Sequence, residues 1–581
     1  MSKFNNERVK GFLRAQGTKI VNGDGEEIIL TGYGCGNWTN PEGFMVGAPK
    51  DIELKGGIFS PKYIPPRRLD RRRTFDQTIR ELCGTEYAKY FWTQWHRNHL
   101  GEADIKAMAE LGLNSVRLPL NAEAFLYDEP GLQWNEDSFQ MLDDVIDWCE
   151  KYRIYAIIDL HAAPGGQSAT ACDGGYDNAP HLFMDDESWD RALALWEKIA
   201  QRYADRWIVG GYDLLNEPLS LPNHQQYVPK LAQFYDEAIA VIRKYDKNHM
   251  FTLEGPKFSR SNEIFNRQYD PGYNNWCIHV HIYGHSPEKK ELYWYILKGM
   301  ELNVPVWIGE GGSYPASNAV FYEIAADYGI GFNLWCWKTA MEVPGVTGCV
   351  GYYLPKDWEA VRGFASGGPK PGFERSKAIF DELLENIKYE NCVHNKENIR
   401  ITKRIPELML PAVGYDNSPG DGKSYCGTWE HGNVLSYRLS DRTKLVLDPN
   451  VEEPRPGFDM YDDPNIQKPL DPLKSLMLEL ASGEFAVYTV REVSKTFRVS
   501  IQARSIGGSV IRVSCCDGNS GEFKVDSEDL TWIETIDITA GEERKIKIEV
   551  VSGTAQLKML HVHEEGIRGE RKLIGFDRWG H

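Results

Sequence analysis

Between residues 28 and 337 the chain alternates eight short β-rich runs with stretches whose apolar residues recur every three or four positions. That alternation is the pattern of parallel βα units. The strand candidates are Ile28–Gly34, Ser115–Leu120, Tyr155–His161, Gly211–Asn216, Met250–Glu254, Trp276–His281, Val304–Glu310 and Gly331–Trp337. Between them, Phe139, Leu142, Ile146 and Cys149 mark one helical face, and Trp189, Ala192, Leu193, Leu195 and Trp196, running into Ile199 and Tyr203, another. A closing helix is expected over Glu374–Ile387. Eight units close economically into a (β/α)8 TIM barrel, whose functional site belongs at the C-terminal ends of the strands.

At 581 residues the chain is too long for one hydrophobic core. After about residue 395 the helical period gives way to alternating runs at Phe485–Val490, Thr496–Ala503, Ser509–Ser514, Lys545–Val551 and Ala555–His561, separated by Gly, Asp and Asn turns. The expected fold is therefore α/β: a barrel domain over 1–395 with an insertion at about 46–96, followed by an all-β sandwich or jelly roll over 396–581. Asp448–Pro472, rich in Pro and acids, reads as a long irregular loop. No internal repeat is visible.

The formal charge of −18 argues against nucleic acid as a partner. The basic run from Pro65 to Arg73 reads as solvated, partner-paired charge within a loop. No run of about 18 apolar residues marks a membrane span, and the first residues lack the apolar stretch of a signal peptide. Eleven cysteines, odd in number and unpatterned, suit reduced thiols in a cytoplasmic protein. Seventeen Trp and 29 Tyr exceed what packing asks for, and flat aromatic faces suit sugar clefts.

The strand ends carry the chemistry. Arg117 lies near the end of the second strand, His161 ends the third, Asn216 and Glu217 the fourth, His281 and Tyr283 the sixth, Glu310 the seventh, and Trp335 lies near the end of the eighth. Ionisable groups at a barrel mouth are costly unless paired or used. Two carboxylates facing each other across it suit glycosidic cleavage, where one acid protonates the leaving oxygen and the other attacks the anomeric carbon or activates water. A separation of about 5–5.5 Å implies retention and about 6.5–9.5 Å inversion. Arg117 would hold one carboxylate ionised and Tyr283 would hydrogen-bond the nucleophile. Asn216 would bind the sugar 2-hydroxyl and Trp335 would floor the ring. Taken singly, each has a bland account: a helix-start carboxylate, a structural ion pair, a core histidine, a packed tryptophan.

These residues stand in recognisable stretches: Gly32-Tyr-Gly-Cys-Gly-Asn-Trp-Thr-Asn-Pro-Glu-Gly-Phe-Met45, Leu111-Gly-Leu-Asn-Ser-Val-Arg-Leu-Pro-Leu120, Ile158-Asp-Leu-His-Ala-Ala-Pro-Gly-Gly-Gln167, Asp213-Leu-Leu-Asn-Glu-Pro218, His279-Val-His-Ile-Tyr283, Trp307-Ile-Gly-Glu310 and Leu334-Trp-Cys-Trp-Lys338. Residues 15–390 thereby resemble glycoside hydrolase family 5, most of all its exo-β-1,3-glucanase branch. The resemblance implies a retaining, cofactor-free enzyme on a β-linked oligosaccharide or glycoside, with Glu217 as acid/base and Glu310 as nucleophile. Arg117, His161, Asn216, His281 and Tyr283 would support them, and Glu42 would grip the terminal glucose of an exo-acting pocket. Gly34 and Asn37 depart from the branch, which usually has Asn and Gly there. The long insertion, with Trp92, Trp95 and His96 at its end and His99 beyond, leaves the aglycone side open. The C-terminal region weakly resembles family 6-like carbohydrate-binding modules.

Three rivals remain at this stage. A metal-dependent barrel hydrolase would use His279, His281 and His161 as ligands. A non-catalytic sugar-binding barrel would keep the fold without the chemistry. Within the class, an endo-β-glucanase, a mannanase or a glycosylceramidase-like enzyme would have a different cleft.

Overall fold

The computed structural model describes residues 6–48, 68–284, 287–341, 348–416, 437–438, 443–450 and 472–564. Eight strands close a parallel barrel in chain order: β1 (Thr31–Gly34), β2 (Ser115–Asn121), β3 (Tyr155–Ala162), β4 (Val209–Asp213), β5 (Met250–Glu254), β6 (Trp276–Tyr283), β7 (Val306–Gly312) and β8 (Phe332–Trp335). The last pairs back onto the first, Phe332 opposite Thr31. Every residue of β2 and β3 is buried, as strands must be with side chains inside the barrel and helices outside. The preceding hairpin, Arg14–Gln16 with Lys19–Val21, lies toward the N-terminal strand ends, where the Tyr155 hydroxyl donates to the carbonyls of Lys10 and Gly11.

The helices follow the sequence period closely. The closing helix spans Phe373–Asn386, and the one between β3 and β4 spans Asp186–Tyr203, its N-terminus capped by the Asp185 carboxylate accepting from the Ser188 N–H. The fifth crossover departs from the expected unit. It holds only the single turn Pro256–Ser259, in which Lys257, Phe258 and Ser259 all have positive φ.

Where described, the insertion is mainly helical rather than loop: α1 (Arg72–Cys83) and α2 (Thr85–His99), separated at Gly84 with φ 81°. Trp92, Trp95, His96 and His99 face inward and belong to the core. Trp38 Nε1 donates to the His96 carbonyl at 3.0 Å and Trp95 Nε1 to the Asn37 carbonyl at 2.9 Å, tying α2 to the loop after β1. The solvated reading of the basic run is corrected at Arg71 and Arg72. Both are buried, Arg71 on the carbonyls of Gly175 and Asp177 and on Asn178 Oδ1, Arg72 on Glu123. A buried guanidinium persists only when so paired.

The C-terminal region forms two mostly antiparallel sheets from β9 (Leu408–Pro411), β10 (Lys444–Leu447), β11 (Leu476–Ala481), β12 (Phe485–Val493), β13 (Phe497–Ser505), β14 (Ser509–Cys515), β15 (Ser520–Val525), β16 (Thr531–Ile538), β17 (Gly541–Ser552) and β18 (Thr554–His563). One sheet runs β10-β11-β18-β13-β16 with β9 also on β18, the other β12-β17-β14-β15. Along β14 buried and half-buried residues alternate strictly, the period-2 signature of a sheet with one face on a core. Most of the loop expected at Asp448–Pro472 lies outside the described residues.

The two regions share a core. The helix after β7, α3 (Pro315–Asp327), is buried from Pro315 to Ala325. Its Ala316, Ala319, Val320 and Ile324 pack into the cluster that holds Leu410, Val413 and Tyr488. Arg491 grips the Glu323 carboxylate with both Nη atoms, and Arg404 Nε donates to the Ala319 carbonyl at 2.8 Å. The sheets thus brace the helix directly behind the strand that carries Glu310.

Candidate active site

The C-terminal strand ends bring together Arg117, His161, Asn216, Glu217, His281, Tyr283, Glu310 and Trp335. Oxygens of Glu217 and Glu310 and a nitrogen of His281 all lie within 4.8 Å of one another. Glu310, on β7, is 4% exposed, whereas the Glu217 side chain is 13% exposed. β4 stops at Asp213, so Asn216 and Glu217 stand on the loop beyond it rather than on the strand expected from sequence. That loop is strained: Glu217 has φ 41° and Leu219 φ 50°, a region that costs a side-chain-bearing residue about 1 kcal/mol. It is held by Glu254 Oε2 accepting from the Glu217 N–H at 2.7 Å and by Gln167 Nε2 donating to the Asn216 carbonyl at 2.7 Å.

Arg117 is fully buried and is the hub of the floor. Its Nη1 donates to Glu310 Oε1, its Nε to Asp213 Oδ2 at 2.8 Å, and its Nη2 to Asn216 Oδ1 at 2.8 Å and Glu254 Oε1 at 3.1 Å. Asp159 Oδ2 lies 3.1 Å from the same Nη2. Tyr283 donates to Glu310 Oε2 at 2.7 Å. Burial alone would raise the Glu310 pKa, but the His281 imidazole and the Arg117 guanidinium outweigh it and hold this carboxyl low, at about 2. It is an ionised carboxylate with both oxygens oriented, as an attacking group must be.

His281 Nδ1 lies 2.8 Å from Glu217 Oε1. Burial works against the imidazolium there, yet the carboxylates of Glu254 and Glu310 prevail and push the His281 pKa well up. His161 is the converse: burial dominates and lowers it to about 4, leaving a neutral ring with Nδ1 on Asp159 at 2.8 Å. That ring lies parallel to Trp335 within 2°, centroids 5.2 Å apart. Gly34 and Gly36 exist for the same tryptophan, since a Cβ on them would stand 2.5 Å and 2.8 Å from its ring atoms. Asn37 takes φ 68°, a conformation asparagine tolerates better than other side chains. The two departures from the family pattern are thus local backbone solutions.

Glu42 opens the short turn after β1, and its carboxyl, without a hydrogen bond among the described residues, feels burial first and then the charges of Glu310 and Glu217, all raising its pKa. Those charges reach it because it stands near both acids.

Sequence reasoning missed Asp159, Asp213 and Glu254 as site residues and considered His279 only as a metal ligand. All four are fully buried beneath the pair. Strand period offers the signal for two of them, since Asp159 shares a face with His161 and His279 with His281. Glu254, His279 and His281 place donor atoms within 4.8 Å, as do Glu217, His281 and Glu310. Several of these atoms also hydrogen-bond one another or Arg117. No helix among the described residues is long and apolar enough to cross a membrane.

A closed parallel barrel with a buried, arginine-held carboxylate facing a second acid across its mouth is an arrangement suited to glycosidic cleavage. Residues 78–341 match the model of the cellulase family, glycosyl hydrolase family 5. A β-xylosidase of Phanerodontia chrysosporium is 34% identical over 252 residues, 43% of this chain and 47% of that protein. A glucan 1,3-β-glucosidase of Candida oleophila is 30% identical over 205 residues, 33% of this chain and 44% of that one. The chain spans about half the length of the curated relatives it matches. The crystal structure of an endogalactoceramidase aligns with 94% of this chain and 99% of its own at 14% identity, with a TM-score of 0.43, too remote a likeness to argue from.

Proposed function

We propose that this protein is a retaining β-glycosidase that removes β-glucosyl units from the non-reducing end of a β-glucan, oligosaccharide or β-glucoside. The observation that carries the reading is the approach of the Glu217 and Glu310 carboxyl oxygens to within 4.8 Å, on the side of retention rather than inversion.

In the first step Glu310 attacks the anomeric carbon while Glu217 gives its proton to the departing oxygen. The glycosidic bond breaks and a glycosyl ester forms on Glu310. In the second, water attacks the same carbon, Glu217 takes its proton, and Glu310 leaves as the carboxylate. Arg117 and Tyr283 keep Glu310 ionised and aimed. The Asn216 amide, fixed through Oδ1 by Arg117, lies beside the pair where a 2-hydroxyl would pass. Trp335 supplies the floor. The free carboxyl of Glu42, favoured in its neutral form, supports the exo reading, because it can both donate to and accept from hydroxyls of a terminal sugar.

A 2-deoxy-2-fluoro β-glucoside tests the mechanism: mass spectrometry of the digested adduct should find the label on Glu310, and a label on any other residue overturns the assignment. Glu217→Ala should lose glycosides with poor leaving groups, keep activated aryl glycosides, and yield a β-glycosyl azide when azide is added. Single glucose units as the first product from laminari-oligosaccharides support exo action, whereas mixed internal fragments refute it.

A further inference from the structure

Beneath Glu217 the structure holds polar contacts that the two-acid mechanism does not use. We propose that His279 is a positioning residue that fixes the tautomer of His281, so that His281 Nδ1 and Glu217 share one catalytic proton. The inference rests on the reading of Glu217 as acid/base.

Period-2 alternation on β6 puts both imidazoles on the barrel's inner face. His279 Nδ1 lies 3.2 Å from Asp213 Oδ1, an oxygen with no other hydrogen-bond partner among the described residues, and 3.3 Å from Glu254 Oε1. Two acidic oxygens at one ring nitrogen demand a hydrogen on it. A neutral His279 then carries its lone pair on Nε2. That nitrogen faces His281 Nε2 at 3.2 Å, and Glu254 Oε1 lies 3.3 Å from the same atom of His281. Both neighbours of His281 Nε2 are acceptors, so it keeps its hydrogen. Nδ1 is left as the only exchangeable position of the ring, 2.8 Å from Glu217 Oε1.

The proton between them has two resting places: on Glu217 with His281 neutral, or on His281 with Glu217 ionised. It leaves the pair when the departing oxygen is protonated and returns from the water that opens the glycosyl ester, so nothing further is consumed. Other charged or titratable groups facing this pair are Glu42 after β1, Arg117 on β2, Asp159 and His161 on β3, Cys172 in the loop after β3, Asp213 on β4, Glu254 on β5, Tyr283 on β6 and Glu310 on β7.

The packing is built for this ring position. A Cβ at residue 309 would stand 1.7 Å from His279 Nε2, so the glycine before the nucleophile is what lets the imidazole lie there. Trp307 covers its other side with centroids 4.7 Å apart. A histidine serving only as core filler needs neither a glycine under its nitrogen nor two acids at its far edge.

Nitrogen-15 NMR of the histidine-labelled full-length protein reads the tautomer directly. A neutral His279 protonated at Nδ1 is expected, and one protonated at Nε2 overturns the proposal. For kinetics, His279→Leu should move the alkaline limb of kcat/KM to lower pH by about one unit on an alkyl glycoside, because the shared proton loses one of the two acceptors behind it. An activated aryl glycoside, whose departure needs no proton, should show no such shift. His279→Gln, whose amide can donate to the acids and accept from His281, should restore most of the limb. Equal losses at every pH and on both substrates would reduce His279 to a structural role. If the leucine variant does not fold, the spectrum of the parent decides alone. Azide rescue of Glu217→Ala with an unmoved limb in the His279 variants sinks only this inference. Absent rescue sinks the acid/base reading beneath it.

Discussion

The barrel mouth and the C-terminal sheets treat charge in opposite ways. In the sheets, ions pair locally across neighbouring strands, Arg498 with Asp537 and Glu534 and Arg512 with Glu522, all with acids that stand largely in water. At the mouth, Asp159, Asp213, Glu254 and Glu310 arrive from four strands and converge on the single guanidinium of Arg117, wholly out of water. Local surface pairs contribute little each and can be lost singly. A convergent buried set survives only complete, because every member removed leaves another unpaired. Such a cluster is retained for chemistry, not for stability.

Removing the attacking group should have the largest effect. Glu310→Ala is expected to lose roughly 10⁴-fold or more of kcat/KM with the circular dichroism spectrum unchanged. Residual turnover within tenfold of the parent would put the chemistry elsewhere. Arg117→Met comes next, since it strands four acids in the interior. A loss of about 3–5 kcal/mol in urea unfolding is expected together with lost turnover, and a folded, active variant would show that the cluster is not obligatory.

Arg491→Met probes the seam. It leaves Glu323 unpaired and buried, so a loss of about 3 kcal/mol is expected with kcat unchanged well below the melting temperature. A fall in kcat at full stability would mean that the sheets act on the site itself. The acid response is smaller. The folded Glu310 pKa, about 2, lies below the ordinary 4.5, so its stabilisation is complete above 4.5 and drains as pH falls toward 2. Melting temperature measured across that window should therefore fall more steeply in the parent than in Glu310→Gln. Smallest of all, Arg512→Ala should shift stability by under about 0.5 kcal/mol and leave turnover untouched.

Most of the barrel was legible because its two signals reinforce each other: short, nearly continuous β-rich apolar runs, and polar residues gathered mainly where the runs stop. The same rule that singles out Glu310 at the end of β7 applies to Glu254 at the end of β5. Yet Glu254 has no neighbouring motif to draw attention to it. Asp159 sits inside its strand and Asp213 inside the run expected for the fourth, where an acid reads as an interruption until its arginine is located in space. The left-handed backbone at Glu217 has no mark in Asn-Glu-Pro, because it is imposed by Glu254 and Gln167 from other segments. In the sheets, β15 and β16 escaped although both alternate in burial, because glycine stands among the inward positions of β15 and an exposed tryptophan, Trp532, breaks the polar face of β16.

The shared packing on α3 limits how this protein can change over time. An accessory lobe joined only by a tether can be swapped, duplicated or dropped at small cost. Here Ala316, Ala319, Val320 and Ile324 would be bared to water by such a loss, so the lineage could shed its sheets only after repainting that helix with polar residues. The catalytic half has, in that sense, outsourced part of its own outer wall.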